Sequence, residues 1–267
     1  LTGVLVSAYT QNLPLAVFCG ILMGIVMGIF MGYFHILMNT NLILTGVAIN
    51  TFTRGATVMI LYTFTGDKGS SSLVKSLAVG NWDIPVIKDI PILGQILSGH
   101  NGFTYFAFLA VIFTWFLMYR TPLGLRIRAV GENSSAAESV GENPAKSKLI
   151  ALGFSGFFSA LGGMYMSMGN MSVFITNMTG GRGFIGVAAD AMGRGNPIGA
   201  MLASLLFGAA SAVANVLQIN NFPVDMVMAI PYVVSIAGII IYSANEQHRK
   251  NSRVKQAIRA AEREETA

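Results

Sequence analysis

Arg120-Thr-Pro-Leu-Gly-Leu-Arg-Ile-Arg-Ala-Val-Gly-Glu-Asn-Ser-Ser-Ala-Ala-Glu-Ser-Val-Gly-Glu-Asn-Pro-Ala-Lys-Ser-Lys148 is a polar block in the middle of an apolar chain. The runs on either side are long enough to need a membrane rather than a shared water-soluble core. The block therefore reads as a loop between membrane helices. Its five Arg and Lys residues predict that it faces the cytoplasm. Hydrophobic residues make up 53% of the chain and charged residues 11%, against roughly 25% charged in an ordinary soluble domain. Abundant glycine (30) and methionine (15) suit close helix packing in lipid.

A membrane helix needs about 20 mostly apolar residues. Leu13 to about Leu37, about Leu42 to Phe64, and Phe103 to about Tyr119 meet that need before the block. Leu149 to about Met168, Ile198 to about Leu217, and Met226 to Tyr242 meet it afterwards. Leu1 to Tyr9 looks like the end of an earlier span, and the N-terminus is expected to be incomplete. The fold class is thus all-α, a polytopic transmembrane helix bundle. A transmembrane domain is expected over 1–242 and a charged cytoplasmic tail over 243–267.

Parity sets the topology. The block and the basic tail (Arg249, Lys250, Arg253, Lys255, Arg259, Arg263) should share one side, so one more crossing is needed between them. The segment Gly183 to Gly193 is too short to cross lipid alone. Its small residues suit a short, broken or re-entrant helix surrounded by protein. A plain outer loop with an interfacial helix is the alternative. Asn196 is expected to cap the following helix, with Pro197 in its first turn.

The first span places Gly20, Gly24, Gly28 and Gly32 four apart, hence on one helix face, where another backbone can approach closely. Within the block, Asn133 to Gly141 reads as a complete short helix. Asn133 or Ser135 can start it, and Ser135 with Glu138 fits a capping box. Gly141 is a natural left-handed stop. Ala136 and Ala137 then offer a flat small-residue surface to a partner. Asn143-Pro144 starts the next helix.

Arg128-Ala-Val-Gly-Glu-Asn133, Ala136-Ala137 and Gly141 resemble the cytoplasmic coupling loop of inner-membrane permeases of binding-protein-dependent ABC importers. Thr121-Pro-Leu-Gly124, Gly181-Arg-Gly-Phe-Ile-Gly186, Gly193-Arg-Gly-Asn-Pro-Ile-Gly199 and Leu206-Phe-Gly208 fit the same pattern. The order and spacing look like the group carrying ribose-type sugars, branched-chain amino acids and nucleosides, with the closest look to nucleoside or simple-sugar permeases. Two positions depart from it: Ser134 where proline is frequent, and Glu142 where an apolar residue is common.

The resemblance implies a coupling surface of Gly131, Glu132, Asn133, Ala136, Ala137 and Gly141. It implies an ABC ATPase that binds ATP in trans, a second permease subunit (identical or related), an extracytoplasmic solute-binding protein, and a place in the bacterial inner membrane with the C-terminus cytoplasmic. The chain has no Gly-x-x-x-x-Gly-Lys-Ser/Thr loop of its own. No cofactor, metal centre, catalytic residue or nucleic-acid surface is expected. Asn50, Arg54, Phe184 and Asn215 are the candidate solute-pathway residues, since an amide or charge inside a span must find a partner or face water. Asp190 is expected to pair with Arg182 or Arg194. An ion-coupled carrier working without an ATPase is the alternative, with Arg54, Asp190 and His35 as its few ionisable groups.

Overall fold

The computed structural model describes residues 1–82 and 98–219, with Val233, Ile236, Gly238 and Ile240 beyond them. The expected span Met226–Tyr242 (those four residues apart) and the tail 243–267 lie outside the described residues. The described residues fall into two compact units, divided between Gly180 and Gly181.

In the first unit, α1 (Thr2–Thr10) ends at Gln11, which takes a left-handed φ of 50° and donates its N–H to the Ser7 carbonyl. Asn12 starts α2 (Leu13–Leu37) by accepting the Leu15 N–H on its side chain, with Pro14 in the first turn. A four-residue turn leads to α3 (Leu42–Thr65), where Asn41 accepts the N–H groups of Ile43 and Leu44. Gly66, at φ 74°, stops α3. Each cap satisfies backbone groups that a helix end leaves orphaned.

After a two-stranded ribbon (β1, Asn81–Trp82; β2, His100–Asn101), α4 (Gly102–Arg120) leads to the short helices α5 (Pro122–Glu132) and α6 (Ser134–Ser139). The long α7 (Pro144–Met164) then runs into a π-helical turn, Tyr165–Asn170. In the second unit, α8 (Arg182–Gly193) and α9 (Pro197–Ile219) form a helical hairpin. Arg194 and Gly195 turn it at positive φ, and Asn196 accepts the Ile198 N–H at 3.0 Å, as its position before Pro197 predicts. Ala189, Ala203 and Phe207 form the core of that hairpin.

Among the described residues, five helical segments are long and apolar enough to cross a membrane: Leu13–Leu37, Leu42–Thr65, Gly102–Arg120, Pro144–Asn170 and Pro197–Leu217. α8 is 12 residues long, which gives about 18 Å at the α-helical rise. That is well short of a hydrocarbon core of roughly 30 Å.

α2 and α7 are the most closely packed pair, and the glycine face makes this possible. A Cβ on Gly24 would lie 2.6 Å from the Gly156 carbonyl oxygen, and one on Gly28 would lie 3.2 Å from the Gly156 Cα. Conversely, a Cβ on Gly156 would strike the Gly24 carbonyl. The two backbones therefore touch directly. Toward the α1 end, Val4, Ala16, Met164 and Met168 close a small buried cluster.

At that same end, residues 67–79 are laced to residues 168–176. The Ser71 N–H donates to the Phe174 carbonyl, and the Phe174 N–H returns to Ser71 Oγ, both at 2.8 Å. Thr176 bonds Gly69 and Lys68, the Val79 N–H reaches the Met168 carbonyl, and Asn101 Nδ2 donates to the Val79 carbonyl. Asp67 nucleates the turn by accepting from the Gly69 N–H at 2.9 Å and from Ser70 Oγ at 3.4 Å.

Gly156→Val should destabilise the α2–α7 pair, because the obstructing atoms are backbone and cannot rotate away. Overpacking of this kind costs about 1–3 kcal/mol, read as a lower Tm in detergent. Gly153→Ala, with no atom within 4 Å of its new methyl, should hold or raise the Tm.

The Gly69 N–H, first among its causes, holds the Asp67 carboxyl below its ordinary pKa. Stability from this group is fully present above the unfolded value and is lost as pH falls through the depressed folded value. Amide exchange over residues 67–71 should therefore accelerate on strong acidification, and Asp67→Asn should remove that acid-dependent change.

Candidate coupling element and solute pathway

The polar block folds as an elbow, two short helices and a stop. Thr121 is extended; its hydroxyl donates to the Leu117 carbonyl at 2.6 Å and accepts the Gly124 N–H at 3.2 Å. Pro122 occupies the first turn of α5, where its missing N–H costs nothing. Gly124 is obligatory, because a Cβ there would collide with the Leu117 carbonyl and sit 2.6 Å from the Met118 Cα. α5 buries Gly124 and Val130 and turns Arg126 and Arg128 outward. The Arg128 guanidinium stacks 4.5 Å over the Tyr119 ring, tying α5 back to α4.

One residue ends α5 and begins α6. The Asn133 N–H donates to the Ala129 carbonyl, while its side-chain oxygen accepts the Ala136 N–H at 3.1 Å. The anticipated capping box does not form. Asn133 is the cap, and Ser135 spends its hydroxyl on the Asn133 side chain at 2.8 Å. Ser134, at the position where proline is frequent, donates its hydroxyl to the Val130 carbonyl.

α6 stops as the spacing predicts. Gly141 has φ 89°. Its N–H bonds the Glu138 carbonyl, and the Glu142 N–H bonds the Ala137 carbonyl, the paired closure of a Schellman motif. Asn143 then caps α7 through the Lys146 N–H. Glu142, the other departure, makes a 2.9 Å ion pair with Arg126 and so bridges α5 to the α6–α7 junction.

The outward surface differs from the expected Ala136–Ala137 pair. Ala137 is 5% exposed and turned inward. Adjacent helical residues point about 100° apart, and residues four apart share a face. Ala136 is therefore joined outwardly by Val140, which is 82% exposed. Gly131 and Glu132 are exposed as well, and Asn133 lies on the same surface. Val140 could have been found from its spacing to Ala136; the Arg126–Glu142 bridge spans two helices and left no local signal.

The solute-pathway candidates separate. Asn50 and Arg54 are both exposed, one turn apart on α3. Phe184 (71% exposed) and Asn215 (exposed) belong to the second unit. A cavity of about 330 Å³ inside the first unit is walled on α3 by Phe52, Thr53, Ala56 and Thr57 rather than by Asn50 or Arg54. Thr53 and Thr57 donate their hydroxyls to the Ile49 and Arg54 carbonyls, which leaves only acceptor capacity toward the cavity. Asp190 is exposed, and among the described residues no salt bridge joins it to Arg182 or Arg194. His35 is engaged in the α2–α3 turn, with Nδ1 2.7 Å from the Thr40 carbonyl.

These features define a multi-pass helical membrane protein that carries a short, self-capped polar element between two spans. Residues 1–241 match the family described as the permease component of branched-chain amino acid transport systems, and the chain belongs to that family.

Among curated relatives, the guanosine ABC transporter permease protein NupQ of Bacillus subtilis is 34% identical over 200 residues, covering 73% of this chain and 62% of that protein. The nucleoside ABC transporter permease protein NupC of Lactococcus lactis is 30% identical over 205 residues, covering 75% and 64%. A putative glucose ABC transporter permease protein of Haloferax volcanii, TsgC13, is 29% identical over 219 residues, covering 80% and 64%. In each of these organisms a second permease protein, named for the same kind of solute, matches over a shorter stretch. The chain spans a little under two thirds of the length of the first three relatives. No solved structure matches it.

Gly141→Val should strain the stop, since a β-branched residue resists positive φ at a cost of about 1–3 kcal/mol. Gly141→Asn should be milder, because Asn tolerates that region. Amide exchange at Gly141 and Glu142 checks the order, with the valine variant exchanging faster.

Proposed function

We propose that this chain is the transmembrane subunit of an ATP-driven importer of nucleosides in the bacterial inner membrane. It performs no covalent chemistry. The self-capped α5–α6 element carries the reading: it presents Ala136 and Val140 outward on a helix closed at both ends, in a chain of a permease family.

On this reading the basic block is cytoplasmic, α8 supplies the extra short crossing, and the C-terminus returns to the cytoplasm. An ABC ATPase grips α6 over Gly131, Glu132, Asn133, Ala136, Val140 and Gly141 and supplies the bound ATP. An extracytoplasmic binding protein delivers the solute. The chain's own contribution is differential stability of outward-open and inward-open packings, which its partners bias. Asn50 and Arg54 on α3 and, taken separately, Phe184 and Asn215 in the second unit remain candidate solute contacts, since amides and aromatic rings suit a sugar hydroxyl and a base.

Nucleosides are favoured over free sugars by the names of the relatives that match at 30% identity and above. The glucose-named relative supports a simple sugar as the second reading. The paired permeases in each of those organisms favour a heterodimer, with a related second permease as partner.

The test is to purify the tagged protein from its own membrane and reconstitute what accompanies it in liposomes. Mass spectrometry should identify an ABC ATPase and a second, non-identical permease. Radiolabelled guanosine should accumulate only with ATP and binding protein, and unlabelled nucleosides should compete far better than glucose. Uptake driven by a proton or sodium gradient, with no ATPase present, would overturn the reading in favour of an ion-coupled carrier.

A further inference from the structure

The block does not stand alone at its end of the bundle. A polar cleft of about 620 Å³ separates it from the turn joining α2 to α3. One wall carries Glu138, Asn143 and Lys148; the other carries His35, Asn39 and Thr40. We infer that this cleft is a second docking point for the ATPase, so that the ATPase holds the permease at α6 and at the 35–40 turn together. The inference rests on the proposed function and extends it from one contact element to two.

The turn is built to hold its shape. His35 Nδ1 lies 2.7 Å from the Thr40 carbonyl, which fixes that nitrogen as the protonated donor. The Thr40 hydroxyl donates to the Phe34 carbonyl at 3.0 Å. The Met38 N–H closes on the same carbonyl, and Asn39 takes φ 49°. The turn's polar groups are thereby tied within four to six residues, which leaves it ordered before any partner arrives.

The chemistry of the walls selects the occupant. They are lined mainly by hydrogen-bonding groups, so lipid tails have no place between them. Glu138 is exposed and has no side-chain partner among the described residues. Its charge opposes an anionic headgroup, although Lys148 sits in the same cleft. A protein surface with mixed hydrogen-bonding groups fits both. Continuity makes that surface the ATPase: Gly141, part of the proposed ATPase contact, also lines the cleft, and Glu138 on the cleft wall belongs to α6.

The mechanical consequence is specific. The two walls adjoin the end of α2 and the start of α7, the helices whose backbones touch along Gly24, Gly28 and Gly156. A partner that holds both walls pulls on one stiff pair. A partner that holds α6 alone would load only the short α6–α7 junction.

The test uses the whole transporter with Cys19→Ser, the replacement of the chain's single cysteine. Asn39→Cys, Ala136→Cys and the exposed, mid-span Phe113→Cys are each labelled with benzophenone maleimide and illuminated. Ala136 and Asn39 should both yield adducts with the ATPase, and Phe113 should not. If Ala136 reaches the ATPase while Asn39 yields only lipid, the other permease or no adduct, the two-point contact is wrong and the coupling reading stands. If neither reaches it, the coupling reading itself fails and the two-point contact falls with it. As a functional counterpart, Ala145→Trp should fill the cleft and lower ATP-driven uptake at least tenfold with an unchanged Tm. Full uptake by that variant would also overturn the inference.

Discussion

The direct backbone contact between α2 and α7 is the constraint on which the first unit depends. Within lipid there is little hydrophobic drive to bring two helices together, so their association relies on van der Waals contact and on how closely the backbones approach. Single atom pairs contribute only about 0.1–0.2 kcal/mol, and the contact holds only if many form at once. Gly24, Gly28 and Gly156 allow this by presenting no Cβ at the crossing. The consequence reaches both ends of the bundle. α2 leads into the 38–41 turn, and α7 begins where the α5–α6 element stops, so the placement of those polar features follows from a contact made inside the membrane.

α6 is six residues long, far below the roughly 12–15 residues at which an isolated helix becomes even marginal in water. Its persistence must come from its ends. Asn133, the Schellman closure at Gly141 and the cap at Asn143 satisfy successive orphaned backbone groups. A cap is worth about 1 kcal/mol. The Arg126–Glu142 pair is mostly exposed on the arginine side, where such pairs contribute about 0–1 kcal/mol. The caps therefore dominate the element's stability, and the ion pair chiefly fixes the angle between α5 and the start of α7. The charge at Glu142 does by electrostatics what an apolar residue there would do by burial.

What was legible in the sequence follows from the range of the forces involved. Span positions came from hydropathy, and the observed helices begin and end within a few residues of the expected ones. The glycine spacing indicated a close contact face but could not name its partner, because Gly156 lies more than a hundred positions away. Asn196 and Gly141 were readable because caps and stops act over three or four residues. α5 went unread as a helix: two glycines and three charges hide its register, and its order comes from the Gly124 elbow and the Tyr119 stack. The inward turn of Ala137 was missed because adjacent alanines look equivalent until a neighbouring helix covers one of them. Asn50 and Arg54 were singled out for the cost of polarity in lipid, yet the cavity wall on α3 is made by the next face round. Composition gives the cost of burying a residue but not its direction.

The π-helical turn gives this arrangement reach. α7 and the turn together run 27 residues from Pro144 to Asn170, about 40 Å at the α-helical rise. Where the ladder shifts to i→i+5, carbonyls leave their usual alignment. Two residues in the turn use that freedom: the Met168 carbonyl accepts the Val79 N–H, and the Gly169 carbonyl accepts from Asn101 Nδ2. The helix that starts just after α6 therefore ends by anchoring the laced segment at the opposite face. Around Gly24, Gly28 and Gly156, α2 meets it with no intervening layer of side chains to absorb a shift. A displacement applied at Asn143 would reach the far-side segment as motion of a paired, hydrogen-bonded strut.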